Sequence, residues 1–165
     1  MTTSLQKRVG APDPIDGRRL GEVLDFMRVI WELDHALQSR SKRMETSLGV
    51  TGPQRLVIRI VGRFPGIPAG ELAALLHVHP STLTGILKRL ERRRLLKRRI
   101  DPRDGRRFLF SLTDAGRDID REREGTIEIA VERALAVAPA ESIAAARALL
   151  TAISANLGNT GLGGS

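Results

Sequence analysis

The most constraining feature of this 165-residue chain is a proline that stands between two short helical patterns. Apolar residues recur at helical spacing over about 70–76, and they do so again from Pro80 to about residue 93. Pro80 disfavours the helical conformation in the residue before it and suits the first turn of a new helix. The sequence therefore predicts two helices joined by a three-residue turn, which is a helix-turn-helix.

The second of these helices is predicted to have two unlike faces. At about 100° per residue, its leucines and Ile86 gather on one side. The opposite side consists of Ser81, Gly85, Lys88 and Arg92, flanked by Thr84 and Arg89. A small, hydroxylated and cationic face on the second helix of a helix-turn-helix is typical of a helix that enters the major groove of DNA.

A basic hairpin follows the two helices. The stretches 97–100 and 107–112 flank a turn that contains Pro102 and Gly105. Large apolar residues stand at alternate positions in the second stretch, as in a half-buried strand. A helix-turn-helix followed by a two-stranded hairpin is a winged helix.

Longer helical patterns lie on both sides of the winged helix. They cover about 16–47, 114–136 and 140–156. Thr113 is the predicted N-cap of the first C-terminal helix, and the capping box of Thr51 and Gln54 opens a helix that ends near residue 62. The predicted fold is mainly α, with a disordered tail over 1–15, one domain over 16–155 and a flexible glycine-rich tail over 157–165.

The net charge of +8 is concentrated in one segment. Residues 88–107 carry eleven basic and three acidic side chains, while residues 1–87 sum to +3 and residues 108–165 to −3. Most charge runs are solvated protein faces. Eleven cations this close together repel one another, however, and a polyanion would relieve that repulsion as its counterions are released. The distribution therefore favours a nucleic acid as the partner.

Composition argues against several other classes. Without cysteine, the chain can form neither a disulfide framework nor a cysteine-ligated zinc site. No phosphate loop or nucleophile–base arrangement is evident, so we expect neither an enzyme nor a cofactor. His77 and His79 bracket the turn, where a capping or surface role is expected and metal binding is not. No apolar run suits a membrane span or a signal core, which makes the cytoplasm the expected location.

Several motifs resemble the MarR family of bacterial transcription regulators. They are Val50-Thr51-x-x-Gln54, Glu71-Leu72-Ala73, Pro80 to Thr84, Leu90-Glu91, the wing sequence Asp101 to Arg106, and Leu112-Thr113-x-x-Gly116. The wing sequence and its continuation are the most specific of these motifs, and the resemblance covers about residues 20–155. It implies a homodimer whose first helix and last two helices, about 16–47 and 114–156, interlock and whose winged helices bind a palindromic operator on double-stranded DNA. Members usually act as repressors that a small molecule releases.

The resemblance also assigns residues to DNA contacts. These are Ser81, Thr82, Thr84 and Lys88 on the recognition helix and Arg103 and Arg106 on the wing. Asp104 is expected to orient Arg106, and Arg89 and Arg92 are further candidates for a phosphate or a guanine edge. Gly85 departs from the family because a larger polar residue often stands there. Arg94 departs because a glycine commonly ends the recognition helix.

The family usually holds its effector in a cleft between the dimer helices and the winged lobe. The residues that we expect to face a small aromatic or anionic effector are Trp31, Asp34, His35 and Arg59. A tryptophan at helical spacing is more often part of a core or a dimer interface, and that alternative stays open. A sequence-tolerant architectural or RNA-binding winged helix, or one that binds proteins, also stays open. The hydroxyl groups on the groove face favour sequence-specific DNA binding, because coating a polyanion needs only cations.

Overall fold

The structure, a computed structural model, describes residues 20–159, and its contacts divide the chain between residues 36 and 37. In the first unit, the described residues from Glu22 onward form the beginning of α1. The elements are α1 (Glu22–Leu48), α2 (Gly52–Arg63), β1 (Ile67–Pro68), α3 (Ala69–Leu76), α4 (Pro80–Arg92), β2 (Leu96–Asp101), β3 (Asp104–Leu112), α5 (Asp114–Arg121), α6 (Ile127–Val137) and α7 (Ala140–Asn159). The predicted tail over 1–15, the predicted helix start at 16–19 and residues 160–165 lie outside the described part.

Local capping sequences place the helix starts where the sequence predicts them. Thr51 and Gln54 form the reciprocal capping box of α2, because each side chain accepts a hydrogen bond from the backbone N–H of the other residue. The hydroxyl of Thr113 accepts a hydrogen bond from the N–H of Gly116 at 3.0 Å and so caps α5. Pro80 is the first residue of α4. These predictions are confirmed.

The single helix predicted over 114–136 is wrong, because the structure has two helices there, α5 and α6. Gly125 lies between them at φ +71°, a conformation that glycine adopts without strain. Thr126 then caps α6 by accepting a hydrogen bond from the N–H of Ile129 at 3.4 Å. A left-handed glycine followed by a capping threonine ends one helix and begins the next. At the C-terminal end, α7 continues to Asn159, past the predicted end at 156, since a lone Gly158 is tolerated in a helix.

The sheet has a third strand, β1, between the helix predicted to end near residue 62 and the one predicted over about 70–76. All pairing is antiparallel in the order β1–β3–β2, with Ile67 opposite Phe110. Gly66, at φ +85°, turns the chain and donates its N–H to the carbonyl oxygen of Phe110 at 2.8 Å. Ile67 is then buried against the core. A two-residue strand has no periodicity of its own and is defined by its partner.

Met44 of α1 is buried, and the main hydrophobic cluster of the described residues lies within the winged helix. Its buried residues are Val50, Val57, Ile58, Val61, Ile67, Leu72, Ala73, Leu83, Leu87, Leu90, Leu95, Leu96, Phe110 and Leu112. Helices α6 and α7 bury none of the residues whose side chains the structure describes. The predicted fold class, a mainly α winged helix with long flanking helices, is confirmed. No helix within residues 20–159 is long and apolar enough to cross a membrane.

Arg94 occupies a strained position that glycine would relieve. Its φ is +55°, in the left-handed region, and its N–H donates to the carbonyl oxygen of Glu91 at 2.8 Å beyond the end of α4. We expect Arg94→Gly to raise the free energy of unfolding by about 1 kcal/mol, because glycine has no Cβ penalty there. Urea unfolding followed by circular dichroism measures the change. Arg93→Gly is the control: Arg93 has φ −83°, so its replacement should destabilise the protein. An unchanged or lower stability in Arg94→Gly would contradict the expectation.

Candidate nucleic-acid interface

The recognition helix α4 is fixed by its apolar face. Leu83, Leu87 and Leu90 are buried in the core, whereas every polar residue proposed for DNA contact on this helix is exposed. The exposed set is Ser81, Thr82, Thr84, Lys88, Arg89 and Arg92. The two faces predicted from helical spacing are therefore confirmed, and the outward face carries hydroxyls at its N-terminal end and cations toward its C-terminal end.

His79 caps the start of α4. Its Nδ1 accepts a hydrogen bond from the N–H of Ser81 at 3.3 Å and lies 2.8 Å from the hydroxyl oxygen of the same residue. His77 ends α3 in the left-handed region, at φ +51°. The capping role predicted for these histidines is thus found for His79, and it holds Ser81 at the first exposed turn of the helix.

The threonines on α4 differ in what they can offer a base or phosphate. The hydroxyl of Thr84 donates to the carbonyl oxygen of Pro80 at 2.8 Å, so its proton is used within the helix and only its lone pairs face outward. The hydroxyl of Thr82 has no hydrogen-bond partner among residues 20–159. Thr84 is therefore restricted to accepting hydrogen bonds, as from a cytosine or adenine amino group, whereas Thr82 can donate to a phosphate.

The wing is a hairpin with a two-residue turn at Pro102 and Arg103. The carboxylate of Asp101 accepts the N–H of Arg103 at 2.9 Å, and that of Asp104 accepts the N–H of Arg106 at 3.0 Å. Asp104 thus orients the backbone at Arg106 and makes no bond to its guanidinium. Both arginine side chains extend from the tip of the hairpin with no ion pair within the described part of the chain.

Two cations of the basic segment are used inside the protein. Arg98 pairs with Glu91 of α4 at 3.3 Å and stacks over the ring of Phe108, 4.6 Å from its centroid. Arg107 pairs with Glu71 of α3 at 3.3 Å. These pairs link the wing to the two helices. Lys88, Arg89, Arg92, Arg103 and Arg106 have no such partner among residues 20–159, so their charge is available to an external anion.

A cleft of about 310 Å³ separates α4 from the wing. Three of the predicted DNA contacts, Thr84, Lys88 and Arg106, line it together with Phe108. It therefore has a hydroxyl, a cation and the carboxylate of Glu91 on the helix side, and the wing side carries three arginines, Arg98, Arg106 and Arg107. An extended anionic ligand can contact both elements there. Gly85 faces open space on the same helix, with nothing within 4 Å of a Cβ placed on it.

The residues predicted to face an effector are found in two settings. Trp31, Asp34 and His35 lie on the first half of α1, where the indole of Trp31 is 66% exposed. Arg59 lies on α2 and is bound by carboxylates, since it pairs with Asp120 at 2.7 Å and with Glu128 at 3.6 Å. An anionic effector at Arg59 would compete with these carboxylates. The effector site stays a prediction.

One prominent polar residue of this lobe is missing from the sequence-based candidates. Arg55 is buried in α2, paired with Glu128 at 2.8 Å. Its sequence signal is its position: three residues before Ile58, it falls on the apolar face of the helix, where a charge requires a partner.

The geometry defines a class of protein. A recognition helix packed on a small antiparallel sheet, with an exposed hydroxyl and cation face beside a basic hairpin, makes this a winged-helix protein. Residues 48–107 match the sequence model of the MarR family. Over these residues, the winged helix of this chain is therefore similar to the MarR family.

The chain is also similar to a known repressor and to solved structures. The chain is 30% identical over 89 residues to the HTH-type transcriptional repressor Rv2887 of Mycobacterium tuberculosis, covering 54% of this chain and 64% of that protein. The chain thus spans less than two thirds of this relative. The S. aureus MepR–DNA complex shares its fold at 19% identity with a TM-score of 0.66, over 80% of this chain and 97% of that chain. PcaV of Streptomyces coelicolor, solved with its natural ligand, has a TM-score of 0.59 at 24% identity, over 88% and 97%.

Proposed function

We propose that this protein is a sequence-specific transcription regulator that binds a palindromic operator on double-stranded DNA as a homodimer. The observation that carries the proposal is the cleft between α4 and the wing, which Thr84, Lys88 and Arg106 line together. A protein that binds chromosomal DNA acts in the cytoplasm, so we propose that location.

In the proposed complex, helix α4 and the wing contact different grooves of the DNA. Helix α4 enters the major groove, where Ser81, Thr82 and Thr84 meet base edges or phosphates and the cations behind them meet the backbone. The wing reaches an adjacent minor groove with Arg103 and Arg106, which bind best where A·T-rich sequence narrows the groove. Sequence preference would come from α4, and most of the affinity from phosphate neutralisation.

Exposed apolar side chains outside the core support a second copy of the chain as partner. Within the first unit, Val23, Leu24 and Trp31 are exposed on α1. Within the second unit, the exposed apolar residues of α6 and α7 include Val131, Leu135, Val137, Leu149, Leu150 and Leu157. Apolar surface of this extent marks an interaction site. A two-fold dimer would place two recognition helices about 34 Å apart, one turn of DNA.

Repression and effector response are finer parts of the same proposal. The relative from Mycobacterium tuberculosis is named a repressor, and PcaV was solved with its natural ligand. We propose the same for this chain, with a small aromatic or anionic effector. Titrating aromatic acids into the DNA complex tests this part, because an effector should release the DNA.

Arg106→Ala is expected to weaken binding to every DNA sequence by about tenfold and to reduce the salt slope of binding by about one, because the DNA then loses one cation that neutralises its phosphate charge. Fluorescence anisotropy with labelled duplexes at several salt concentrations measures both quantities. Arg63→Ala, which removes an exposed arginine from α2, is the control and should bind like the parent. Unchanged affinity and slope in Arg106→Ala would contradict the role of the wing.

A sequence-tolerant architectural or RNA-binding winged helix is the alternative, since the unpaired cations would serve either polyanion. Footprinting on the DNA upstream of the protein's own gene separates the two. A discrete palindromic protected site supports the regulator, whereas continuous coverage, or equal affinity for RNA, would favour the alternative.

A further inference from the structure

We propose that Arg55 is a positioning residue that fixes the angle between the winged helix and helices α6 and α7, and thereby sets the half-site spacing that the dimer accepts. The inference concerns a buried side chain with no place in the DNA contacts described above. Its consequence for operator choice rests on the proposed function, whereas its consequence for the angle does not.

The side chain of Arg55 is 2% exposed, and its guanidinium is almost fully used. It donates to three backbone carbonyl oxygens, those of Ile119, Asp120 and Glu122. Its Nε also donates to the Oε1 of Glu128 at 2.8 Å. Removing a partner from a buried charge of this kind is strongly destabilising. The guanidinium therefore holds these acceptor oxygens in fixed positions relative to one another.

The three carbonyl groups lie at the C-terminal end of α5. The last turn of a helix leaves its carbonyl groups without partners and carries a partial negative charge. Arg55 supplies hydrogen-bond donors and positive charge to these carbonyl groups. In a continuous helix, the N–H groups of the next turn would supply those donors. The break at 122–126 is therefore held by a residue of α2 and is more than a local loop.

The same guanidinium reaches across the break. Glu128 stands in the first turn of α6, and Arg55 binds it while binding the end of α5. Arg59, one turn further along α2, forms ion pairs with the carboxylate of Asp120 at 2.7 Å and with that of Glu128 at 3.6 Å. Two arginines on one helix thus hold both ends of the break.

This joint matters because the helices beyond it contribute no buried core residue within 20–159, although Ile127 of α6 approaches Gly52 of α2. Helices α6 and α7 bury none of the residues whose side chains the structure describes, while the core lies within 50–112. If α6 and α7 dimerise, the angle at the joint determines how far apart two recognition helices stand. A planar guanidinium with several simultaneous bonds defines an angle better than a flexible ammonium does.

The first experiment measures binding to duplexes with identical half-sites at different spacings. The parent should prefer one spacing, and Arg55→Met should lose about tenfold of that selectivity, the effect of a coupling free energy of ordinary size. Affinity for a single half-site should not change. Arg55→Lys should restore part of the selectivity, and Arg63→Met, an exposed arginine on the same helix, should behave like the parent. An unchanged spacing profile in Arg55→Met would overturn the inference about operator choice.

The second experiment needs no DNA, so its outcome is separate from that of the proposed function. Because the chain has no cysteine, spin labels attach only at the introduced substitutions Leu75→Cys on α3 and Arg133→Cys on α6. Labelled protein diluted with unlabelled protein reports distances within one chain. Pulsed electron resonance should give a narrow distribution in the Arg55 parent and a broad one in Arg55→Met. If that variant does not fold, Glu128→Gln, which keeps Arg55, should give intermediate broadening. A distribution as narrow as the parent's in the folded variant would overturn the inference.

Discussion

Gly116→Ala is expected to lower the free energy of unfolding by about 3 kcal/mol, because the added methyl group overfills a packed site. A Cβ built on Gly116 overlaps the carbonyl oxygen of Leu95, and it also lies 3.4 Å from the Cβ of Leu112. Both neighbours belong to the sheet side of the winged-helix core. Thermal and urea unfolding at one fixed protein concentration measure the loss.

The carbonyl group of Leu95 cannot move aside without further loss. It accepts a hydrogen bond from the N–H of Thr113 at 3.1 Å. The hydroxyl of Thr113 donates to the carbonyl oxygen of Arg94 at 2.6 Å and lies 3.2 Å from that of Leu95. The hydroxyl of Thr113 also caps α5 through the N–H of Gly116. Relieving the overlap would therefore disturb the junction of β2, β3 and α5 at once, and that coupling is the reason for a large effect.

Gly85→Ala is the matched control for this substitution. Gly85 also lies in a helix, yet a Cβ there meets nothing within 4 Å. Alanine should stabilise α4 by up to about 1 kcal/mol, since glycine is a poor helix former. If Gly116→Ala unfolds like the parent, then the close approach of α5 to Leu95 is not the constraint that the structure indicates.

The outward face of α4 is predictable from spacing, because a helix projects its residues at fixed angles and Leu83, Leu87 and Leu90 identify the buried side. The short turn before Pro80 and the turn residues of the wing are equally local signals. Their success shows that the candidate DNA surface is encoded by neighbouring residues. Contact of these residues with DNA remains a prediction.

The features that sequence patterns miss depend on distant partners. The break between α5 and α6 is held by Arg55, which lies 64 residues before Ile119 in the chain, and the helical period continues on both sides of the break. Likewise β1 is a strand only through Phe110. Arg107 is partly neutralised by Glu71, 36 residues earlier, so a count of basic residues overstates the charge open to DNA. Periodicity reports local structure and carries no information on such pairs.

The double substitution Leu149→Glu with Leu150→Glu is expected to convert the proposed homodimer to a monomer and to weaken operator binding by about a hundredfold, because two half-sites are then no longer bound by one linked molecule. These leucines of α7 are 47% and 44% exposed in the single chain. Burying a leucine side chain is favourable, so an interface with a second copy would stabilise them. Two carboxylates in an apolar interface would be desolvated without partners. Sedimentation velocity gives the oligomeric state, and fluorescence anisotropy gives the affinity.

Thr151→Glu is the control that distinguishes the loss of apolar side chains from the effect of an added carboxylate on α7. Thr151 is exposed on the same helix, and its replacement adds a carboxylate without removing an apolar side chain, so this variant should stay dimeric. The core lies within 50–112, far along the chain from these positions, so the winged helix of the double variant should remain folded and should bind a single half-site like the parent. A double variant that still dimerises would exclude this part of α7 from the interface. A monomer that binds the full operator as tightly as the parent would show that recognition does not depend on the dimer.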